Sequence, residues 1–441
     1  MRRFLLCLSL ALAPAWFPAS GSATSLTVAE VRRRAVEFNR GYLSALEEVD
    51  NAQGEIIKAR AGALPIISAG GSYTRNMTIP SVFFEVDNET SEFKMGYKNN
   101  FGASVSLQQP LYRGGQIFTA LAIARLYKQY ALAGVAQAKA EVVYNAEVLF
   151  YQAILEKSRL TVLDKALEAN SYNLEVVEQM YSQGLVSEFE VLRARVERNN
   201  LLPQLIEAES DVQLSEKRLK SFLGIELDDE VVLLEETADT SLSNTPTRYE
   251  HIASALARRP EVSQAENLTE IAKKAIRVAK GAYYPSVDAV SAYEWSSQSD
   301  DFTLSDNTSK SFTAGIRVSV PIFLGGARSG EVRQRKVQHN QARLAAAQLT
   351  DDIRLEVEEA YDRLIQAKKA LDIQGTNIAE AEEGLKIANV RYESGVGTLL
   401  EVMSAQVALT SARNAHAAAA FSFREARAKL KKASMIESGG E

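Results

Sequence analysis

Two stretches of this chain repeat each other at a fixed distance. Gln109-Pro110-Leu111-Tyr112-Arg113-Gly114-Gly115 returns as Val320-Pro321-Ile322-Phe323-Leu324-Gly325-Gly326, and Tyr181-Ser182-Gln183-Gly184 returns as Tyr392-Glu393-Ser394-Gly395, both 211 residues later. Ala63-Leu64-Pro65-Ile66 and Tyr283-Tyr284-Pro285-Ser286 stand 220 apart, so the halves differ by nine residues between Pro65 and Pro110. A unit present twice must form the same elements in the same order twice, which restricts the fold more than any single motif.

Each half reads helix, strand, strand, long helix, shorter helix. Apolar residues at helical spacing (Val28, Val31, Ala35, Phe38, Leu43, Leu46, Val49) predict a helix over about Thr27–Ala61, stopped by Pro65, and its equivalent covers about Tyr249–Gly281. Period-two alternation predicts strands: Phe312, Ala314, Ile316, Val318 and Val320 share one face against Thr313, Gly315, Arg317 and Ser319. The same split of apolar from polar recurs at Phe101–Gln109 and Ser286–Trp295. Polar loops, Arg75–Asn100 and Ser296–Lys310, join the paired strands. After each Gly-Gly, residues 116–181 and 327–392 contain no proline, which predicts helices about 100 Å long at 1.5 Å per residue. Shorter helices follow over about Ser187–Phe222 and Thr398–Lys432. Their Ala, Leu, Glu, Lys and Arg content suits coiled packing.

Net charge is −6, and no basic surface concentrates to hold phosphates, so nucleic acid is excluded as a partner. Arg2, Arg3, the apolar run Phe4–Ala13 and the small residues ending at Ala23 read as a signal peptide over 1–23. The only cysteine, Cys7, falls inside it, so a chain starting at Thr24 has no disulfide, thiolate metal site or cysteine nucleophile. His251, His339 and His416 show no metal spacing, and no phosphate loop, nucleophile elbow or His-Glu-x-x-His is present. No enzyme, no cofactor and no metal are expected. The domain plan is a first repeat over 24–236, a Ser/Asn/Thr/Pro-rich linker over 237–248, a second repeat over 249–434 and a flexible tail at 435–441.

No later stretch reaches the roughly 18 apolar residues of a spanning helix, so entry into a membrane would be by strands. Strands of about ten residues with one apolar face have the required length. Four of them leave two open edges. In lipid each unpaired backbone group costs several kcal/mol, so the edges must pair with other copies, and at least two chains are needed for the minimum of about eight strands.

The Pro-Leu-Tyr-x-Gly-Gly and Pro-Ile-Phe-x-Gly-Gly strand exits, the two Tyr-x-x-Gly turns, the duplication and the element lengths together resemble the TolC-like outer-membrane channel family of Gram-negative bacteria over nearly the whole mature chain. The resemblance implies a membrane α+β fold: a trimeric twelve-stranded β-barrel continuous with a long periplasmic α-helical coiled-coil barrel. It implies an outer-membrane exit duct of a tripartite efflux pump or type I secretion system, with a large periplasmic portion. Its partners would be two sister copies, a periplasmic adaptor, an inner-membrane pump and the lipid bilayer.

Two groups of residues are candidate sites. Pro110, Gly114, Gly115, Pro321, Gly325 and Gly326 mark strand-to-helix junctions, as turn punctuation and as redirection of the chain from barrel to tunnel. Tyr181, Gly184, Glu190, Tyr392, Gly395, Glu401 and Ser404 belong to the turns between long and shorter helices. By the resemblance, Glu401 stands where an acid of the constricted entrance lies, Ser404 where a second acid can stand, and Tyr392 and Glu190 where hydrogen bonds can hold the tip closed. The sequence departs from that pattern at Gly397, in place of a basic latch, and at Ser404, which is not acidic. Two readings of Glu401 stay open, a pore-lining acid and a first-turn acid favoured by the helix dipole. Two other functions compete with the duct: a soluble periplasmic coiled-coil adaptor, and a secreted enzyme on a helical frame.

Overall fold

The computed structural model describes residues 24–86, 89–235, 246–304 and 307–436. The expected signal peptide, most of the linker and most of the tail lie outside the described residues. The elements are β1 (Thr24–Leu26), α1 (Val28–Phe38), α2 (Arg40–Ala61), β2 (Ile66–Arg75), β3 (Ser81–Val86), β4 (Glu89–Lys94), β5 (Asn99–Arg113), α3 (Gln116–Ser182), α4 (Glu188–Phe222) and β6 (Val231–Leu233). The second half follows with α5 (Arg248–Arg258), α6 (Pro260–Gly281), β7 (Ser286–Ser299), β8 (Thr308–Ser319), α7 (Ala327–Glu393) and α8 (Leu399–Ser434). Both long helices have 67 residues.

Two compact units divide the chain: Met1–Asn39, Val142–Asn244 and Asp362–Lys429 form one, Arg40–Glu141, Thr245–Tyr361 and Leu430–Glu441 the other. The second carries an antiparallel sheet in the order β2-β5-β7-β8. Its register separates the faces by the pleat. Ile67, Tyr73, Val105, Tyr293, Phe312, Ile316 and Val318 share one face and are exposed, with Phe312 71 % open. Ser72, Ser104, Ser106, Thr313, Gly315 and Arg317 share the other. At one end of the apolar face Tyr73 stacks on Phe101 at 5.0 Å, and Phe302 meets both rings edge-on at 5.3 and 5.2 Å.

The duplication extends to the hydrogen-bond register. Shifting β2 by 220 and β5 by 211 converts their pairing into that of β7 with β8: Ser68↔Ser106 becomes Asp288↔Arg317.

The structure corrects four expectations. The helix expected over Thr27–Ala61 breaks at Asn39 (φ −69°, ψ 122°), whose side chain donates to the Phe222 carbonyl at 3.4 Å. Its equivalent breaks at Arg259, because the residue before Pro260 is disfavoured in the α region. The Arg75–Asn100 loop contains the β3–β4 hairpin. Pro110 does not end its strand: β5 continues to Arg113 with a bulge between Pro110 and Tyr112, where β7 is its only partner because β2 pairing stops at Gln108. A missing N–H is tolerated at such a bulge.

The helical unit buries Val31, Ala35, Phe150, Leu219, Leu223 and Phe423. Within it β1 and β6 pair in parallel, and Arg32 binds the buried Glu147 at 2.6 Å.

Candidate functional site: two glycine turns and two strand exits

Helix α3 ends because Gly184 adopts φ +76°, a left-handed value open to glycine without steric cost. The turn closes with Gly184 N–H donating to the Tyr181 carbonyl at 2.9 Å and Leu185 N–H to Met180 at 3.0 Å. Helix α4 then follows the N-cap Ser187, with Glu188 and Glu190 in its first turn, where the helix dipole favours acids. Gly395 repeats the geometry at φ +74°: its N–H donates to the Tyr392 carbonyl at 3.0 Å, and Val396 N–H to Arg391 at 3.1 Å. Thr398 caps α8, its Oγ1 accepting from Glu401 N–H at 3.3 Å.

Hydrophobic packing joins the two turns. Val177, Val191, Ala194, Leu399 and Met403 form a buried cluster, with Leu174, Val186 and Tyr392 against it. Tyr392 donates its hydroxyl to Met180 Sδ at 3.6 Å. Glu190 has its Oε2 buried with no hydrogen-bond partner among the described residues. Burial, then the Glu190 charge, pushes the Tyr392 phenol above its ordinary pKa, so the hydroxyl stays a donor through the neutral range.

Glu401 is paired. Arg391 Nε lies 3.3 Å from its Oε2, with both side chains about half exposed. Arg391 is a residue that sequence reasoning missed, and Gly397 has a local reason to be glycine. Its N–H donates to the Arg391 carbonyl at 2.8 Å, and a Cβ there would sit 2.9–3.0 Å from Arg391 and Tyr392 atoms. Tyr181, Gly184, Gly395 and Ser404 are exposed.

In the sheet-bearing unit, Gly114 (φ +58°), Gly115 (φ +74°), Gly325 (φ +58°) and Gly326 (φ +85°) turn strand into helix twice. Gly114 presses on α6, where a Cβ would approach the Gly281 carbonyl oxygen to 2.3 Å. Pro321 follows β8 in irregular backbone, whereas Pro110 lies within β5.

The model of the family described as outer membrane efflux protein matches residues 31–225 and 251–434, one stretch in each repeat. Outer membrane efflux protein BepC of Brucella suis is 24 % identical over 312 residues, 70 % of this chain and 66 % of that protein, so the chain spans just under two thirds of this relative. Outer membrane protein TolC of Vibrio cholerae is 21 % identical over 401 residues, 88 % of this chain and 85 % of that one. The CmeC outer membrane channel of Campylobacter jejuni shares the fold with a TM-score of 0.75 at 17 % identity, covering 100 % of this chain and 96 % of that chain. With its family model matched across most of both repeats, the chain belongs to the outer membrane efflux protein family.

Proposed function

We propose that this protein is the outer-membrane exit duct of a tripartite efflux pump or type I secretion system, conducting substrates passively from periplasm to exterior. The sheet carries the reading. Its strands of 10, 15, 14 and 12 residues reach membrane-crossing length, and one face is apolar and uncovered by the chain itself. Within the chain β2 and β8 are the edges of this sheet, which lipid does not tolerate. Sister copies complete the wall, and the family resemblance supports three copies and twelve strands. A periplasmic adaptor would link the duct to an inner-membrane pump that supplies the energy. The protein makes and breaks no covalent bond; gating is conformational, at the glycine turns.

The repeat supports one way for copies to join. β5 pairs with β7 inside the chain, so their counterparts β8 and β2 pair between copies. Carrying the Gln108↔Val290 register across the offsets puts Ser319 of one copy opposite Gly70 of the next. With Gly70→Cys and Ser319→Cys in one chain that otherwise retains only Cys7 of the signal segment, mild oxidation of outer membranes is expected to give covalent oligomers up to the trimer. Either substitution alone should give none. A double variant that stays monomeric on oxidation, while fractionating with the membrane, would refute this seam.

The paired state of Glu401 gives a second expectation. An exposed ion pair contributes about 0–1 kcal/mol, so Glu401→Gln should leave stability nearly unchanged. In planar bilayers it should weaken cation preference and divalent block, because Arg391 then stands alone at the turn. Unchanged selectivity and block would remove Glu401 from the pore.

A further inference from the structure

We infer that Arg317 is a specificity-determining residue of the duct, a guanidinium on the lumen-facing side of each sheet that favours passage of anions. This rests on the proposed closure of the sheet into a barrel, which turns its polar face inward.

That face is mostly serine, glycine and threonine, with charge concentrated in one row. Asp288 lies between Pro110 on β5 and Arg317 on β8. It is 5 % exposed, and Arg113 Nη2 donates to its Oδ1 at 2.8 Å. One carboxylate is therefore matched by one guanidinium, and a second cation, the exposed Arg317, remains in the same row. The other acid on this face of the four strands is Glu294, six residues along β7. At 3.3 Å per residue that is about 20 Å, twice the screening length of about 10 Å at 0.1 M salt.

The fold does not require this charge. At the equivalent position of the first repeat stands the pair Ser68 and Ser106, their hydroxyl oxygens 2.7 Å apart. The same register is thus occupied once by a neutral hydroxyl pair and once by Asp288 and Arg317, where Arg113 already matches the carboxylate and leaves one guanidinium in excess. A closed oligomer then carries one such guanidinium per copy instead of one per repeat, a ring that attracts anions into a low-dielectric wall.

The test is the reversal potential of the purified full-length protein in planar bilayers under a KCl gradient, for wild type, Arg317→Ser and Arg317→Lys. Arg317→Ser reproduces the chemistry at Ser106, and Glu401 is the same in all three, so a difference isolates position 317. At about 0.1 M salt Arg317→Ser is expected to shift the potassium-to-chloride permeability ratio toward potassium about twofold or more, with Arg317→Lys near wild type. Near 1 M salt, where screening falls to about 3 Å, the difference should shrink. Equal ratios for wild type and Arg317→Ser at 0.1 M, with conducting SDS-resistant oligomers in both, would overturn the inference and leave the duct intact. A wild type that neither conducts nor oligomerises would bring down the duct itself. Should Arg317→Ser fail to assemble, Arg317→Gln reads the same loss of charge.

Discussion

Gly114→Ala should remove most of the membrane-assembled protein, whereas Gly115→Ala, one residue later in the same turn, should lose only part of it. Both glycines are left-handed, at φ +58° and +74°, which costs a side-chain-bearing residue about 1–2 kcal/mol. Only position 114 adds a collision, because its Cβ would meet the Gly281 carbonyl oxygen at 2.3 Å and the Tyr284 Cβ at 3.1 Å, while nothing lies within 4 Å of a Cβ at 115. Backbone must move, and crowding of this kind adds about 1–3 kcal/mol. The yield of SDS-resistant oligomer in outer membranes, together with the urea midpoint of what survives, measures the difference. Equal losses for the two variants would mean that the Gly114–Gly281 approach does not hold the junction.

His251→Val should stabilise the sheet-bearing unit and remove an acid-sensitive limb from its stability. His251 is 4 % exposed, its ring lies 6.0 Å from that of Tyr361, and neither ring nitrogen has a hydrogen-bond partner among the described residues. Arg248 sits over the same Tyr361 ring at 5.2 Å, and Glu250 is the neighbouring acid. The first repeat places the buried Val31 at the equivalent position, so the fold accommodates valine there. Removing an unpaired buried polar group gains about 1–3 kcal/mol at neutral pH.

Burial holds the His251 pKa below 6.5, with the Glu250 charge pulling the other way. A depressed folded-state value means that the unfolded chain binds the proton first. Stability from the neutral ring is therefore complete above pH 6.5 and declines as pH falls toward the folded value, by up to about 1.4 kcal/mol per pH unit. Amide exchange of Arg248–Arg258, corrected for its intrinsic pH dependence, should lose protection between pH 6.5 and 5 in the wild type and stay level in His251→Val. Equal protection at both pH values in the wild type would dismiss the effect.

The long helices were legible almost to the residue: ends expected at Tyr181 and Tyr392 fall at Ser182 and Glu393, because glycines with positive φ set them. Three of the four long strands were legible from alternation, and β2 only from the repeated helix-strand-strand plan. What escaped depends on distant contacts. The break at Asn39 is held by Phe222, 183 residues away, and nothing near Asn39 announces it, although Pro260 could have exposed the matching break at Arg259. Strands of three residues, β1 and β6, are too short to show a period. Pro110 reads as a strand end until the missing β2 neighbour is known. At the helical turns the glycines were visible, but Arg391 was not, since pairing it with Glu401 needs the folded loop between them.

In the proposed ring the joint between chains repeats the register of the joint inside the chain, so two solutions to every repeated position coexist there. Val31 in the first half answers to His251 in the second, and the Ser68–Ser106 pair to Asp288 and Arg317. In such a wall one half can preserve closure while its twin acquires a new chemical property, which leaves alternate staves free to diverge.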